Sequence, residues 1–283
     1  MTIPSLFIRC TRPLLLFSFT VVVGTIRVNP GLTELVFVLR GEKYLSFAHE
    51  LKSKRLKVIM TFIKLSILVI LVFSCSSLKV NYYSSELKSE LLISKTVLVP
   101  HIYNLPMRES IQNYKFEKFD RAIDIGAGSG ILSYLLATKG FKKVISTDIN
   151  PKAIETIAYN KKKLGFDSII QERLVEKEND PYSSIQHRVD AIISNPPWFD
   201  RVPKGLEELA WYDLKYSLLR NIIKGLSRNL NPGGVALIEL GGKGAIDICK
   251  ELLIKENLKF KILYASDYGV FNKPYKIFEV RVE

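Results

Sequence analysis

From Tyr114 onward the apolar positions fall into two patterns that take turns. Short continuous apolar runs alternate with longer stretches in which apolar residues return every three or four positions, and this alternation predicts strands and amphipathic helices in succession. "RAIDI" (121–125) reads as a strand ending in glycines, and "ILSYLLATK" (131–139) as a helix stopped by Gly140. "KVISTD" (143–148) is the next strand. Asn150 then caps a helix that opens on Pro151 and runs to Gly165. "SIIQERLV" (168–175) and "VDAIIS" (189–194) are strands three and four. "DLKYSLLRNIIKGLSRNL" (213–230) is a helix with Leu218, Ile222 and Leu226 on one face. The turn "NPGG" (231–234) leads into "VALIEL", and a helix around "GAIDICKELLIKEN" follows. "KFKILYA" and "KIFEVRV", separated by "SDYGVFNKP", predict an antiparallel hairpin at the sheet edge. Seven strands interleaved with helices imply an α/β fold, doubly wound and mostly parallel.

The preceding residues break this order. "PLLLFSFTVVVGTI" (13–26) is apolar but short for a bilayer span. "FIKLSILVILVFSCSS" (62–77) is a stronger signal: from Met60 it reads as a short basic region with Lys64, an apolar core of secretory length, and small residues around Cys75. "VFSC" loosely resembles a lipoprotein cleavage box, with Phe73 a poor fit. A cleaved or lipidated leader, a membrane anchor and a buried helix compete for this segment, and residues 1–59 read as an uncertain leader upstream of Met60.

Composition changes the picture only slightly. The net charge is +13, but residues 115–283 hold 27 Lys and Arg against 22 Asp and Glu, so the basic excess concentrates outside the orderly half. A basic balance suits an anionic partner, and an excess of +5 over 115–283 is a weak argument for one. Lys161, Lys162 and Lys163 could touch phosphate, although a solvated helix end explains them as well. Cys10, Cys75 and Cys249 and His49, His101 and His187 are scattered, which excludes a spaced zinc motif and a disulfide framework; no metal is expected.

Candidate chemistry sits at three strand ends. "DIGAGSG" (124–130) follows a strand and opens a helix, so Gly126, Gly128 and Gly130 can turn tightly and bring bare backbone to a ligand. Asp148 ends the second strand, where a carboxylate can accept both hydroxyl hydrogens of a ribose. The alternative is a solvated Asp paired with a lysine. "SNPPWFD" (194–200) ends the fourth strand, and its prolines forbid continuation of a central strand. The Asn195 side-chain oxygen and the Pro196 carbonyl can together accept the hydrogens of a planar amino group, while Trp198 can stack on the flat group bearing it. A rigid turn and a core aromatic are the plain alternatives.

These features in this order resemble class I S-adenosylmethionine-dependent methyltransferases, and more narrowly the small-domain methyltransferase family with its D-x-G-x-G-x-G loop and N-P-P-aromatic motif. The resemblance covers about residues 95–283 and implies a Rossmann-like seven-stranded sheet. It implies that Asp124, Gly126, Gly128 and Gly130 serve the methionine moiety, that Asp148 binds the ribose with Ile149 beside the adenine, and that Asn195, Pro196, Pro197 and Trp198 hold the accepting nitrogen. "VLVPHIYNLPMRES" (97–110) corresponds to a segment covering cofactor and substrate, with His101 and Arg108 unassigned. Trp198 stands where the family usually has tyrosine or phenylalanine. The acidic residue usual after strand three has three candidates here, Glu176, Glu178 and Asp180.

The resulting expectation is a domain at 115–283 that transfers a methyl group from S-adenosylmethionine to a planar nitrogen of RNA or of a protein glutamine. Residues 78–114 would be its cap and 60–77 a signal-like or anchoring segment. The domain is expected in the cytoplasm, with membrane association through 62–77 as the competing placement. A membrane-anchored, inactive methyltransferase-fold scaffold is the main rival. A nicotinamide-dependent oxidoreductase is a weaker one, because it leaves "NPPW" without a task.

Overall fold

The computed structural model describes the backbone of residues 7–8, 20–29 and 32–40 and, in full, residues 79–100, 104–176, 180–267 and 273–282. The chain divides into two compact units, Met1–Phe73 and Ser74–Glu283. In the first, strands β1 (Phe7–Ile8), β2 (Thr20–Asn29) and β3 (Leu32–Arg40) pair antiparallel in the order β1-β2-β3. The expectation for 62–77 lies outside the described residues. Among the described residues, no helix is long and apolar enough to cross a membrane.

The second unit opens with an antiparallel hairpin of β4 (Lys79–Ser84) and β5 (Ser89–Ser94), then helix α1 (Leu105–Asn113). There follow β6 (Arg121–Ile125), α2 (Ile131–Thr138), β7 (Lys143–Asp148), α3 (Pro151–Lys163), β8 (Ile170–Leu174) and β9 (Val189–Ser194). The chain continues through α4 (Ser217–Asn229), β10 (Leu230–Gly241), α5 (Lys243–Lys255), β11 (Lys259–Ser266) and β12 (Tyr275–Arg281). The seven-stranded sheet has the order β11-β12-β10-β9-β6-β7-β8. The five strands from β10 to β8 run parallel, and β12 is antiparallel to both β10 and β11. This is the mixed α/β, doubly wound fold that the alternating pattern implies.

Local signals explain the element ends. Asn150 holds an extended conformation, and its side-chain oxygen accepts from the backbone N–H of Lys152, so α3 starts directly at Pro151. In β10, the Asn231–Gly234 turn shifts the pairing register between Leu230 and Val235. The apolar stripe of α4 is Leu219, Ile222, Ile223 and Leu226, with Leu218 half-buried rather than in the core. Lys161 is a second departure: it is buried, donates to the carbonyl of Ile170 at 3.0 Å and pairs with Glu172 at 2.5 Å. Part of the basic run at 161–163 therefore holds α3 to β8.

The hairpin β4–β5 is stitched to α3 by side chains of one helix face. Asn160 accepts from the N–H of Leu92 at 2.9 Å and donates to its carbonyl at 3.0 Å, imitating a neighbouring strand. Thr156 receives the N–H of Ser94 at 3.3 Å, and Asn150 donates to the carbonyl of Thr96 at 3.0 Å. These bonds fix where the chain goes next, from Thr96 towards α1.

The parallel register sets up the functional edge. Ile125 pairs with Thr147 on one side and with Ser194 on the other. The residues that follow these three, Gly126, Asp148 and Asn195, therefore stand side by side at the carboxyl ends of adjacent strands. The strand order reverses there, because β7 and β8 extend one way from β6 and β9 the other. In open α/β sheets this is where a ligand crevice forms.

Candidate active site

A cleft lies at this edge. Gly126, Gly128, Asp148, Ile149, Asn195, Pro196, Pro197 and Trp198 all line it, so the three strand-end motifs share one space. Asp124 and Gly130 do not line it.

The glycine loop is pinned from below. The N–H groups of Gly126 and Ala127 both donate to the carbonyl of Thr147 at 2.9 Å. Gly126 and Gly128 have φ of 74° and 53°, and a Cβ built on either meets nothing within 4 Å. Their bare backbone faces open cleft. Gly130 has a different reason to be glycine: at φ 83°, its Cβ would stand 2.6 Å from Tyr134 Oη. It permits close packing at the start of α2.

Asp124 is fully buried under the loop, where Ser133 donates to its Oδ2 at 2.6 Å and Ser146 donates to Ser133 at 2.7 Å. Its Oδ1 has no partner. Burial pushes its carboxyl up to about 7, Ser133 opposes that shift, and nearby Asp148 adds to it. Asp124 therefore supports the loop from within the fold.

Asp148 occupies the cleft. Its Oδ2 accepts the Gly128 N–H at 2.7 Å and its Oδ1 the Asn150 N–H at 2.8 Å. Burial raises its carboxyl, and these backbone donors work against the shift. Each oxygen keeps a second lone pair. Among the described lining residues, Asp148 is the only ionisable one. After β8 the lining residues are Val175 and Pro181, whereas Glu176 and Asp180 are exposed and Glu178 lies outside the described residues.

At the other side, Trp198 Nε1 donates to Asn195 Oδ1 at 2.9 Å. Trp198 is only 7% exposed. Its ring packs against Gly241, where a Cβ would come within 2.3 Å, and meets Tyr275 edge-on at 5.8 Å. Trp198 therefore braces Asn195 while itself lining the cleft, where the sequence led us to expect stacking on an acceptor.

The remaining walls were not legible as site residues. Leu206, Leu209, Ala210 and Trp211 come from the segment between β9 and α4. That segment is tied down by Phe199, whose N–H donates to the Trp211 carbonyl at 3.1 Å and whose carbonyl accepts from Asp213 at 2.9 Å. Arg201 stacks 3.7 Å over the ring of Tyr212 beside it. Thr96–Val99 and Asn104 also line the cleft. His101 lies outside the described residues. Arg108 is buried and paired with Glu86 away from the cleft lining.

A nucleoside with a charged amino-acid tail fits this lining. Two bare glycines allow close approach, and a carboxylate with a spare lone pair on each oxygen stands where hydroxyls can reach it. Residues 108–240 match the family model of the methyltransferase small domain. Over that span, just under half of its length, the chain is similar to that family. The chain is similar to the release factor glutamine methyltransferase of Cereibacter sphaeroides, 31% identical over 137 residues that cover 44% of this chain and 48% of that protein. It is also similar to the tRNA1(Val) (adenine(37)-N6)-methyltransferase of Bacteroides fragilis, 30% identical over 123 residues, covering 42% of this chain and 51% of that one. The chain thus spans about half the length of these relatives. In fold, the chain resembles the T. thermophilus 16S rRNA N2 G1207 methyltransferase solved with AdoMet and guanosine. That match has a TM-score of 0.52 at 17% identity and covers 73% of this chain and 51% of that one.

Proposed function

We propose that this chain transfers a methyl group from S-adenosylmethionine to a planar nitrogen, in an RNA base or a protein glutamine amide. The observation that carries the reading is the shared register of Ile125, Thr147 and Ser194, which brings the glycine loop, Asp148 and Asn195 to one cleft. The domain is read as 115–283 with 78–114 as its cap, working in the cytoplasm where the cofactor is made.

When bound, the cofactor supplies a methyl group made electrophilic by its sulfonium. Gly126 and Gly128 let the backbone lie against it, and the free lone pairs of Asp148 accept the ribose hydroxyls, with Ile149 beside the adenine. Asn195 Oδ1 has one lone pair held by Trp198 and one left for an amine N–H. The Pro196 carbonyl accepts the second hydrogen. Gripped in this way, the nitrogen is drawn towards tetrahedral geometry and turns its lone pair to the methyl group. The nitrogen would gain the methyl as the carbon–sulfur bond broke and its electron pair stayed on sulfur, and it would then release one proton to water, so no strong base would be needed. Relatives named for glutamine and for adenine N6 support the choice of a flat amine as acceptor.

The test is transfer of labelled methyl groups to separated RNA and protein fractions by the full chain. Asn195→Ala is expected to abolish transfer and leave cofactor affinity unchanged. Labelling of neither fraction, with cofactor bound, would point to the inactive scaffold.

A further inference from the structure

Outside the cleft, the β4–β5 hairpin and α3 carry a strip of rings and cations that the assignments above leave without a task. Residues paired across two antiparallel strands share a face. Lys79 pairs with Ser94, Asn81 with Leu92 and Tyr83 with Glu90, and the Ser94 hydroxyl accepts from Thr156 of α3 at 3.2 Å. Lys79, Asn81 and Tyr83 therefore lie on the α3 side of the hairpin, and all three are exposed. Lys79 Nζ stands 5.2 Å over the ring of Tyr159. One helical turn further on, Lys163 Nζ donates to the carbonyl of Glu90, the residue opposite Tyr83, at 2.6 Å. Tyr83 is 62% exposed and Tyr159 49%, and Lys162 continues the same exposed helix side as Tyr159.

We infer that this strip binds single-stranded RNA, with Tyr83 and Tyr159 stacking on bases and Lys79, Lys162 and Lys163 meeting phosphates. Among the glutamates of the hairpin and α3, Glu86 is paired with Arg108 and Glu155 with Lys152, so Glu90 alone offsets the exposed lysines. Rings interleaved with cations suit a flexible polyanion that carries flat bases: the rings take the bases in any sequence, and the lysines displace counterions from the backbone. An acidic polypeptide would use the lysines and leave the rings idle. The strip also begins beside the cleft. Two residues beyond Ser94, Thr96 lines it, and Asn150, which caps α3, follows Asp148 and Ile149 of the lining. From there α3 carries the strip away over about 20 Å, at roughly 1.5 Å per residue, so a strand lying on it could present one end to the cleft. That last step, which makes RNA rather than a glutamine the carrier of the accepting nitrogen, rests on the proposed function.

Fluorescence anisotropy of a labelled single-stranded RNA of mixed sequence, titrated with the full chain at several salt concentrations and without cofactor, tests this. Tyr83→Ala and Tyr159→Ala should each weaken binding by about tenfold, the loss expected of one stacked base. Lys79→Gln, Lys162→Gln and Lys163→Gln combined should lower the slope of log affinity against log salt by about 2. A matched triple of exposed residues on α4 and α5, Lys224→Gln, Arg228→Gln and Lys255→Gln, should keep the wild-type slope. Thermal melting separates these losses from misfolding. Wild-type affinity in both tyrosine variants, an equal change of slope in the matched triple, or a wild-type chain that binds no RNA would overturn the inference. Binding of poly-glutamate as tight as that of RNA, and indifferent to the tyrosines, would overturn it in favour of an acidic protein. Failure here leaves methyl transfer to a glutamine standing, whereas a chain that binds RNA on the strip but not S-adenosylhomocysteine overturns the function and upholds the strip.

Discussion

Trp198 gives its indole N–H to the side-chain oxygen of Asn195 at 2.9 Å, while its ring is clamped between Gly241 and Tyr275. The largest aromatic of the motif thus holds the amide of its neighbour while lining the cleft itself.

Trp198→Phe keeps an aromatic ring against Gly241 and Tyr275 and deletes the donor. Asn195 would then be free to rotate, and misplacing a positioning group costs on the order of 100-fold in rate. Single-turnover methyl transfer should fall by about 10–100-fold, while the cofactor dissociation constant holds. A variant that transfers at the wild-type rate would show that the indole N–H has no such task.

The buried Asp124 carboxyl makes stability depend on pH. Its folded value is raised to about 7, above the usual value near 4 that it regains on unfolding. Between those two values the folded state binds more protons than the unfolded state, so the contribution is complete below about 4 and is lost as pH rises through about 7. The slope is at most about 1.4 kcal/mol per pH unit for one group. Asp148 and Glu239 are also raised by burial and add a background of the same sign. Urea denaturation from acid to neutral pH should therefore show a shallower decline for Asp124→Asn than for the wild type. Parallel curves would rule out titration of Asp124 in this range.

Asn160 is the stitch that holds the hairpin. Asn160→Ala leaves the N–H and carbonyl of Leu92 without their partner, at a cost of about 1–3 kcal/mol. Urea denaturation should show that loss, and hydrogen exchange should quicken at Leu92 and Ser94 before it does in β6 or β9. Uniform acceleration across the sheet would mean that the hairpin does not open separately.

Much of this architecture could be read from the sequence because local and global signals agree there. The β6–β9 alternation, the Asn150–Pro151 helix start, the glycine loop and the Asn-Pro-Pro corner each carry a short-range physical signature. What could not be read depends on contacts between distant residues. Asn160 looks like any polar residue in "AYNKKK" until Leu92 is placed beside it. Lys161 looks solvated until Ile170 and Glu172 close over it. Leu218 fits the periodic stripe, but the stripe is rotated by one residue, which turns Leu218 to the cleft. Asp124 belongs to the loop motif in sequence and yet lies beneath the loop in space. Thr96 and Trp211 reach the cleft only through the path of the hairpin and of the β9–α4 segment, which no periodicity records.

The placement of β12 bears on how the protein comes into being. Tyr275, at its first position, is one of the surfaces that hold Trp198 upright, and the strand seats itself between β10 and β11 rather than beyond them. During synthesis the strand ends of β6, β7 and β9 therefore emerge before the ring that buttresses Trp198, so the Asn195 corner waits for β12 to be braced.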